Sequence, residues 1–371
     1  MIRIAIDLLW LKHNNVGGVE SYIRNLLNGM LTLKDEFHVY LLATQDNYKS
    51  FEAYCSDARF EIIVCNTKAS NSAKSIIWMN LHLDRLVSQL DVNLCFVPNS
   101  RMPFFTSRKN RYVCTIHDLQ ALHFPQYFSK LRYLWLKYSI ACLVGNSYRV
   151  VAISNFVADD IVNKYHCDRT KIKKIYNPIA PVGQLCDFSQ IEEKYGITKG
   201  HYYYTISSLL KHKNTITLLK MMDYLVNTCG RKDEKLLISG IKGDDYNSLN
   251  KFISERHLEN NCIYTGFVSD MERDTLIKYT SFFLFPSIFE GFGMPVVEAL
   301  RLGTKVITTK CASLREVSQG CAVYVDRPYD EIEWVDAINK HKNENGVVFP
   351  FTDYYPETIA RQYLEFFNTI V

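Results

Sequence analysis

No two of the eleven cysteines in this 371-residue chain stand at the CxxC spacing of a zinc knuckle or redox motif, and their number is odd. That argues against a disulfide framework or a structural zinc site and points to reduced thiols in apolar surroundings, as in a cytosol. Long hydrophobic runs are missing too: Ser281–Phe285 and Ile140–Val144 have the length of core segments, far short of a bilayer span. The first residues follow a strand pattern (Ile2, Ile4, Ile6) and lack the layout of a signal peptide, so the protein is expected to stay in the compartment where it is made. No G-x-G-x-x-G follows that first strand, which argues against a dinucleotide oxidoreductase. There is no low-complexity tract and no short-period repeat, which sets aside disordered and solenoid architectures.

What is present is a globular composition, 47% hydrophobic and 22% charged, in a chain too long for one ordinary core and of a size for two domains. Net charge is only +4, but it is unevenly shared. Residues 1–180 hold 22 Lys/Arg against 14 Asp/Glu, and residues 181–371 hold 21 against 25. The basic half is expected to face something anionic, a membrane surface or a phosphate-bearing acceptor; chance on a solvated surface is the plain alternative.

Short apolar strands alternate with helical segments through both halves, the rhythm of βαβ units and parallel sheets. The spacing predicts strands at Arg3–Leu9, Phe37–Leu42, Phe60–Val64, Leu94–Pro98, Tyr112–Ile116 and Val150–Ile153, then at Tyr202–Ser207, Lys235–Ser239, Cys262–Thr265, Phe282–Phe285, Lys305–Thr308 and Ala322–Val325. Helices are expected over Val19–Leu33, Ser75–Leu90 and Lys130–Val144, with capping boxes at Ser269/Glu272 and Ser313/Glu316. Two prolines in Asn177-Pro178-Ile179-Ala180-Pro181 break any regular element. The domains are therefore expected at 1–179 and 180–355, with an amphipathic closing helix in 356–371 returning to the first. Two such α/β domains would leave a cleft at the carboxyl ends of their sheets, where ligands bind in open α/β folds.

The most informative stretch runs from Phe282 to Leu300. A buried strand ends at Pro286, a loop follows, and a helix begins near Pro295. Gly291 and Gly293 permit positive φ and close approach of a ligand to the backbone. The free N–H groups and dipole of that helix start suit a diphosphate. Glu290 in the loop and Glu298 about one turn into the helix can accept hydrogen bonds from hydroxyls of a sugar and a ribose. The plain alternative is a solvated helix start carrying two surface acids.

Glu290 and Glu298, with seven residues between them in the context EGFGMPVVEAL, resemble the signature of the family 4 retaining glycosyltransferases of GT-B fold. The resemblance continues through Thr308-Thr-Lys-Cys-Ala-Ser313-Leu-Arg-Glu316-Val, Ala322–Asp326, Tyr264–Val268, Gly17-Gly18-Val19-Glu20, Thr115-Ile116-His117-Asp118 and Ala152-Ile153-Ser154-Asn155, in order over nearly the whole chain. It implies an α/β fold of two Rossmann-like domains, with the acceptor on the first and a nucleotide-sugar donor, GDP-, UDP- or dTDP-linked, on the second. It assigns catalytic roles to Glu290, His117 and Lys213. It assigns donor contacts to Gly17, Gly18, Ser208, Lys211, His212, Phe267, Val268, Gly291, Phe292, Gly293, Met294, Pro295 and Glu298, and places Asn155 with His117 on the acceptor side. Lys213 matches the phosphate-contacting lysine of the family. Ser208 and His212 stand where arginine and a second basic residue are usual, so Lys211 is expected to supply the missing charge.

Transfer on one face of the sugar, with the leaving phosphate helping to deprotonate the acceptor, makes positioning and charge stabilisation the protein's main task. The absence of any Asp-x-Asp triplet agrees with transfer that needs no metal, and no cofactor or nucleic acid is expected. The resemblance implies a glycan or lipid-linked acceptor in surface-polysaccharide assembly, with mannose, rhamnose or glucose as the sugar. The basic, aromatic stretch Tyr127–Tyr138 is either an interfacial helix on an anionic membrane or a core-facing helix with three exposed cations. The expected place of action is the cytoplasm, at the inner face of the membrane if the first alternative holds. The competing readings are an epimerase of the same fold and a subunit that has lost its chemistry.

Overall fold

The computed structural model describes residues 1–12 and 17–371. They form two compact units, residues 1–179 with 352–371, and residues 180–351. The first is built on a parallel sheet whose strands are β1 (Ile2–Asp7), β2 (Phe37–Thr44), β3 (Phe60–Cys65), β4 (Leu94–Val97), β5 (Tyr112–Ile116), β6 (Arg149–Ala152) and β7 (Ile172–Lys174). Their spatial order is β3-β2-β1-β4-β5-β6-β7. The second unit has β8 (Tyr203–Ile206), β9 (Leu236–Ser239), β10 (Cys262–Gly266), β11 (Phe282–Phe285), β12 (Val306–Thr309) and β13 (Val323–Val325), in the order β10-β9-β8-β11-β12-β13. Central strands such as β4 and β11 are buried at every position. Helices cover parallel sheets on both faces, so their strands read as continuous apolar runs without alternation.

In each sheet the order reverses once, between β1 and β4 in the first unit and between β8 and β11 in the second. At such a point the connections leave to opposite sides and the carboxyl-end loops part, opening a crevice.

The short β7 has no counterpart in the sequence-based expectation. Its Ile-Lys-Lys sequence offers no apolar run, and lysines on a short edge strand discourage further pairing. The helix expected over Ser75–Leu90 begins earlier, at Ser72, where the Asn71 side chain accepts from the Lys74 amide; a wide turn at Met79–Leu83 precedes its last segment, Asp84–Leu90. At Ser269 only half of the capping box forms. Ser269 Oγ accepts from the Glu272 amide at 3.2 Å, while the Glu272 carboxylate turns instead to Lys194 (2.7 Å) and Tyr195 (2.6 Å).

The closing helix Pro356–Asn368 packs on the helix Gly18–Thr32 within the first unit, burying Ile359, Tyr363, Leu364 and Phe367 in its core. Gly29 permits this approach: a Cβ there would lie 2.1 Å from the Pro356 carbonyl oxygen. Tyr22 and Tyr363 share a hydrogen bond between their hydroxyls, and Tyr22 is also 3.0 Å from Thr115 Oγ1. The closing helix is thereby tied to the carboxyl end of β5. Gly29→Ala is expected to destabilise the protein by about 1–3 kcal/mol through overpacking in urea unfolding. Stabilisation, as helix propensity alone would give, would show that the two helices do not meet this closely.

Candidate active site

The loops that leave β8 and β11 lie side by side at the switch point of the second sheet. Backbone and side-chain bonds join them: the His212 carbonyl accepts from the Ile288 amide at 2.9 Å and from Ser287 Oγ at 3.2 Å. Across this seam Lys213 Nζ stands 2.6 Å from Glu290 Oε1, both side chains largely buried at 19% and 13% exposure. A cation and an anion so placed compensate each other without ligand, and each keeps hydrogen-bonding capacity for one. Asn214 then opens the next helix in left-handed conformation (φ 52°). Its side-chain amide donates to the Pro328 carbonyl at 2.9 Å and accepts from Thr217 Oγ1 at 2.9 Å.

His212 is buried. Desolvation, and secondarily the Lys213 charge, push its pKa down to about 4 against the pull of Glu290. It is a neutral imidazole near pH 7, so the cation that is usual at this position in the resembled family is not restored here. Lys211 is exposed and Ser208 half-buried on the same loop.

Glu290 leads into Gly291, Phe292 and Gly293. Phe292 is buried, and Gly293 takes φ +93° as it turns the chain into the helix Met294–Arg301. No side chain among the described residues caps that start, and Pro295 is in its first turn. N–H groups at an uncapped start, with the positive end of the helix dipole, form an anion site. Ser313 holds the loop in place: its hydroxyl meets the carbonyls of Glu290 (2.8 Å) and Phe292 (2.9 Å). The capping box expected at Ser313/Glu316 is therefore absent. Ser313 sits in helical geometry and makes no side-chain cap bond, because its hydroxyl is engaged by the loop. Glu298 lies farther along the helix, 3.9 Å from Arg273 Nε. Arg273 also pairs with Asp270 and Asp274. Burial disfavours its charge, but the three carboxylates prevail and hold it above the usual arginine range. Phe267, 63% exposed, and the buried Val268 follow β10.

Gly17, Gly18, His117 and Asn155 belong to the first unit. Gly17 and Gly18 start the helix after β1, and Asn155 is the exposed first residue of the helix Asn155–Tyr165, whose cap is Ser154. His117 follows β5, with Nε2 2.9 Å from the Pro98 carbonyl and its ring edge-on to Tyr22 at 5.0 Å. Desolvation pushes its pKa down to about 4; as a neutral imidazole donating through Nε2, it leaves Nδ1 as an acceptor. Three further histidines have structural roles: His123 meets Asp160 at 2.8 Å, and His166 and His257 hold left-handed positions.

The ion pair, the uncapped helix start and the two carboxylates make a site for a phosphorylated, hydroxyl-rich ligand. Profiles of the families described as Glycosyltransferase Family 4 and Glycosyl transferases group 1 match residues 16–181 and 187–351. The chain belongs to the family 4 glycosyltransferases. It is 25% identical over 302 residues, 79% of this chain and 78% of the other, to the O-antigen chain mannosyltransferase RfbU of Salmonella typhimurium. It is 28% identical to the O-antigen chain mannosyltransferase B of Escherichia coli, over 66% of this chain and 62% of that one. The fold matches Anabaena Alr3699/HepE in complex with UDP and glucose at a TM-score of 0.72, with 15% identity and both chains fully covered. It also matches WaaG, a glycosyltransferase involved in lipopolysaccharide biosynthesis, at 0.67, with 14% identity over 98% of this chain and 95% of that one.

Two features of this glycosyltransferase escaped sequence reasoning. Arg273, between Asp270 and Asp274, reads as an ordinary surface ion-pairing residue, and nothing in one dimension aims it at Glu298. Ser313 gave a signal, but one that pointed to a cap. Ser313→Ala removes both hydroxyl contacts to the glycine loop and is expected to cost about 1–3 kcal/mol and to weaken nucleotide binding; calorimetric titration that shows unchanged affinity would contradict its bracing role. For His212 the folded pKa lies below the unfolded 6.5. Its contribution to stability is complete above pH 6.5 and is lost as pH falls towards 4. His212→Gln is expected to flatten the decline of Tm across that window, and an unchanged slope would contradict the neutral buried assignment.

Proposed function

We propose that this glycosyltransferase moves a hexose, mannose foremost, from a nucleoside-diphosphate sugar to a glycan or lipid-linked acceptor in cell-surface polysaccharide assembly, with retention and without a metal ion. The observation that carries this reading is the 2.6 Å Lys213–Glu290 pair beside the uncapped start of Met294–Arg301. Mannose is favoured by the names of the two O-antigen relatives. A further relative, 24% identical over 79% of this chain, is a Campylobacter jejuni enzyme named for transfer to a diphospho-undecaprenol-linked saccharide.

In this reading the donor diphosphate sits at the helix start and takes a share of Lys213, freeing Glu290 to accept from sugar hydroxyls while Glu298 accepts from the ribose. The bond from the anomeric carbon to the phosphate oxygen breaks. The acceptor oxygen bonds to that carbon on the same face, and its proton passes to the leaving phosphate. Lys213 and the helix start stabilise the charge that develops on the leaving group, and fixed donors of this kind supply most of the catalysis in such steps. His117, neutral and fixed by the Pro98 carbonyl in the first unit, offers Nδ1 as an acceptor to a sugar hydroxyl.

Among the described residues no helix is long and apolar enough to cross a membrane. The helix Lys130–Asn146 buries Ile140, Leu143 and Val144 but exposes Leu131 (83%), Leu134, Trp135 and Tyr138. Four large apolar residues at i, i+3, i+4 and i+7 form one stripe, and residues 98–149 hold eight Lys/Arg against one Asp. An apolar stripe among cations suits the headgroup region of an anionic bilayer. We place the enzyme there, at the inner face of the membrane that holds its acceptor.

Nothing in the comparisons favours the epimerase reading. Glu290→Ala is expected to reduce transfer by at least about 100-fold, a loss of the size seen when one group that stabilises transition-state charge is removed, with the circular dichroism spectrum kept. Near-normal turnover would overturn the site. Activity should survive excess chelator, and complete loss restored by a divalent ion would contradict metal independence. Flotation with anionic liposomes at low salt should carry the protein upward, and absence of binding would remove the membrane assignment.

A further inference from the structure

Glu298 and Arg301 stand three residues apart on the helix Met294–Arg301, and therefore on one side of it. That side meets the helix Asp270–Tyr279, which presents Arg273 and Asp274. The four side chains alternate in sign. Glu298 Oε2 is 3.9 Å from Arg273 Nε, Asp274 Oδ1 accepts from Arg273 Nη2 at 2.9 Å, and Asp274 Oδ2 accepts from Arg301 Nη2 at 2.7 Å. Arg301 also donates to the carbonyl of Ala180, the residue at which the second unit begins. The Arg301 and Asp274 side chains are 3% and 6% exposed, those of Glu298 and Arg273 12% and 23%.

Charge balance singles out Arg273. Arg301 already neutralises the buried Asp274, and Asp270, 85% exposed, is solvated. The carboxylate that remains is Glu298, and among the described residues Arg273 is the one cation within ion-pair distance of it. A largely buried charge without a counter-ion is costly, so Arg273 is the counter-ion of Glu298.

The pairing is electrostatic without being a hydrogen bond, for which 3.9 Å is too long. Arg273 directs its N–H groups elsewhere: Nε to Asp274 Oδ1 at 3.1 Å and Nη1 to Asp270 Oδ1 at 2.8 Å. Among the described residues the Glu298 carboxylate accepts no hydrogen bond. Both of its oxygens keep their lone pairs, while a fixed cation holds the group in place. A carboxylate prepared in this way can accept from two neighbouring hydroxyls at once, one on each oxygen. The 2′ and 3′ hydroxyls of a ribose are such a pair. A sugar ring with only one of them leaves a half-buried oxygen without a donor, and sites built around a hydroxyl discriminate strongly against ligands that lack it.

We propose that Arg273 is a positioning residue that makes Glu298 a reader of the ribose diol, so that the donor is a ribonucleoside diphosphate sugar and 2′-deoxyribose donors are refused. The inference rests on the reading in which Glu298 accepts from the ribose, and it narrows the donor class within that reading. One helix then carries both measuring points, the anion site at its start and the diol reader about one turn on, and the bond from Arg301 to Ala180 secures its far end.

The test is calorimetric titration with UDP, GDP and ADP, each against its 2′-deoxy counterpart, so that the members of a pair differ only in the diol. In the series whose base the wild-type protein accepts, the ribonucleotide should bind at least about 10-fold more tightly. Arg273→Gln and Arg273→Met, the second keeping an apolar stem, should each bring that ratio below about 3-fold, with affinity for the 2′-deoxynucleotide within about 3-fold of wild type. The retained affinity also reports that the variants are folded. Equal affinities in the wild-type protein would overturn the proposal without requiring any variant. A purely structural role for Arg273 would weaken both members of a pair alike; a ratio that persists in both variants would therefore also overturn it, and would leave the transferase reading standing. Failure of the folded wild-type protein to bind any of these nucleotides would instead sink the donor site itself.

Discussion

Lys213 and Glu290 come from loops 77 positions apart in the chain, and their 2.6 Å contact depends on everything beneath it. Two buried strands must be neighbours at the point where the sheet reverses, and the backbone of His212 must bond the loop that follows β11. A partly buried ion pair is weak support for a fold, since desolvation offsets most of the attraction, but removing one partner strands the other at about 3–5 kcal/mol. Such a pair makes sense where a third charged group is to join it. In the proposed mechanism that group is a diphosphate at the adjoining helix start, and the positive φ of Gly293 and the grip of Ser313 keep the helix start aimed at it.

The first unit follows the same geometry with different chemistry. Among the described residues its switch point carries no cation–anion pair bridging two strand-end loops. It has instead a half-satisfied carboxylate, Glu20, near aromatic side chains, and a histidine held neutral by desolvation. The Tyr22–Tyr363 bond and the edge-on contact of Tyr22 with His117 connect the last helix of the chain to that end of the sheet. The closing helix thus does more than cover a core: it fixes the ring beside which His117 sits.

The fold was legible because parallel sheets write themselves as apolar runs. Tyr112–Ile116 and Phe282–Phe285 were readable to the residue, and two such series separated by a proline pair marked two Rossmann-like units. The edge strand Ile172–Lys174 was not, since lysine at an edge serves solubility and leaves no hydrophobic trace. In the site, the positions of Glu290, Glu298 and Lys213 stood out by motif, but contacts did not. Arg273 reaches Glu298 and Ser313 reaches two loop carbonyls only after tertiary folding, and the Ser-x-x-Glu pattern at Ser313 pointed to a local bond that a distant one displaced. Glu20 was visible only as part of a glycine-rich helix start. That one of its oxygens lacks a partner among the described residues is a property of packing, which no spacing rule encodes.

The mechanism stands or falls on whether the helix start at Gly293–Met294, with Lys213 and Glu290, grips the diphosphate of a sugar donor. A crystal structure with bound nucleoside diphosphate tests this most directly. Phosphate oxygens are expected within hydrogen-bonding distance of Lys213 Nζ and of the first free amides of Met294–Arg301, with the Lys213–Glu290 separation lengthened from 2.6 Å. A nucleotide lodged elsewhere, with that pair intact and the helix start bare, would contradict it.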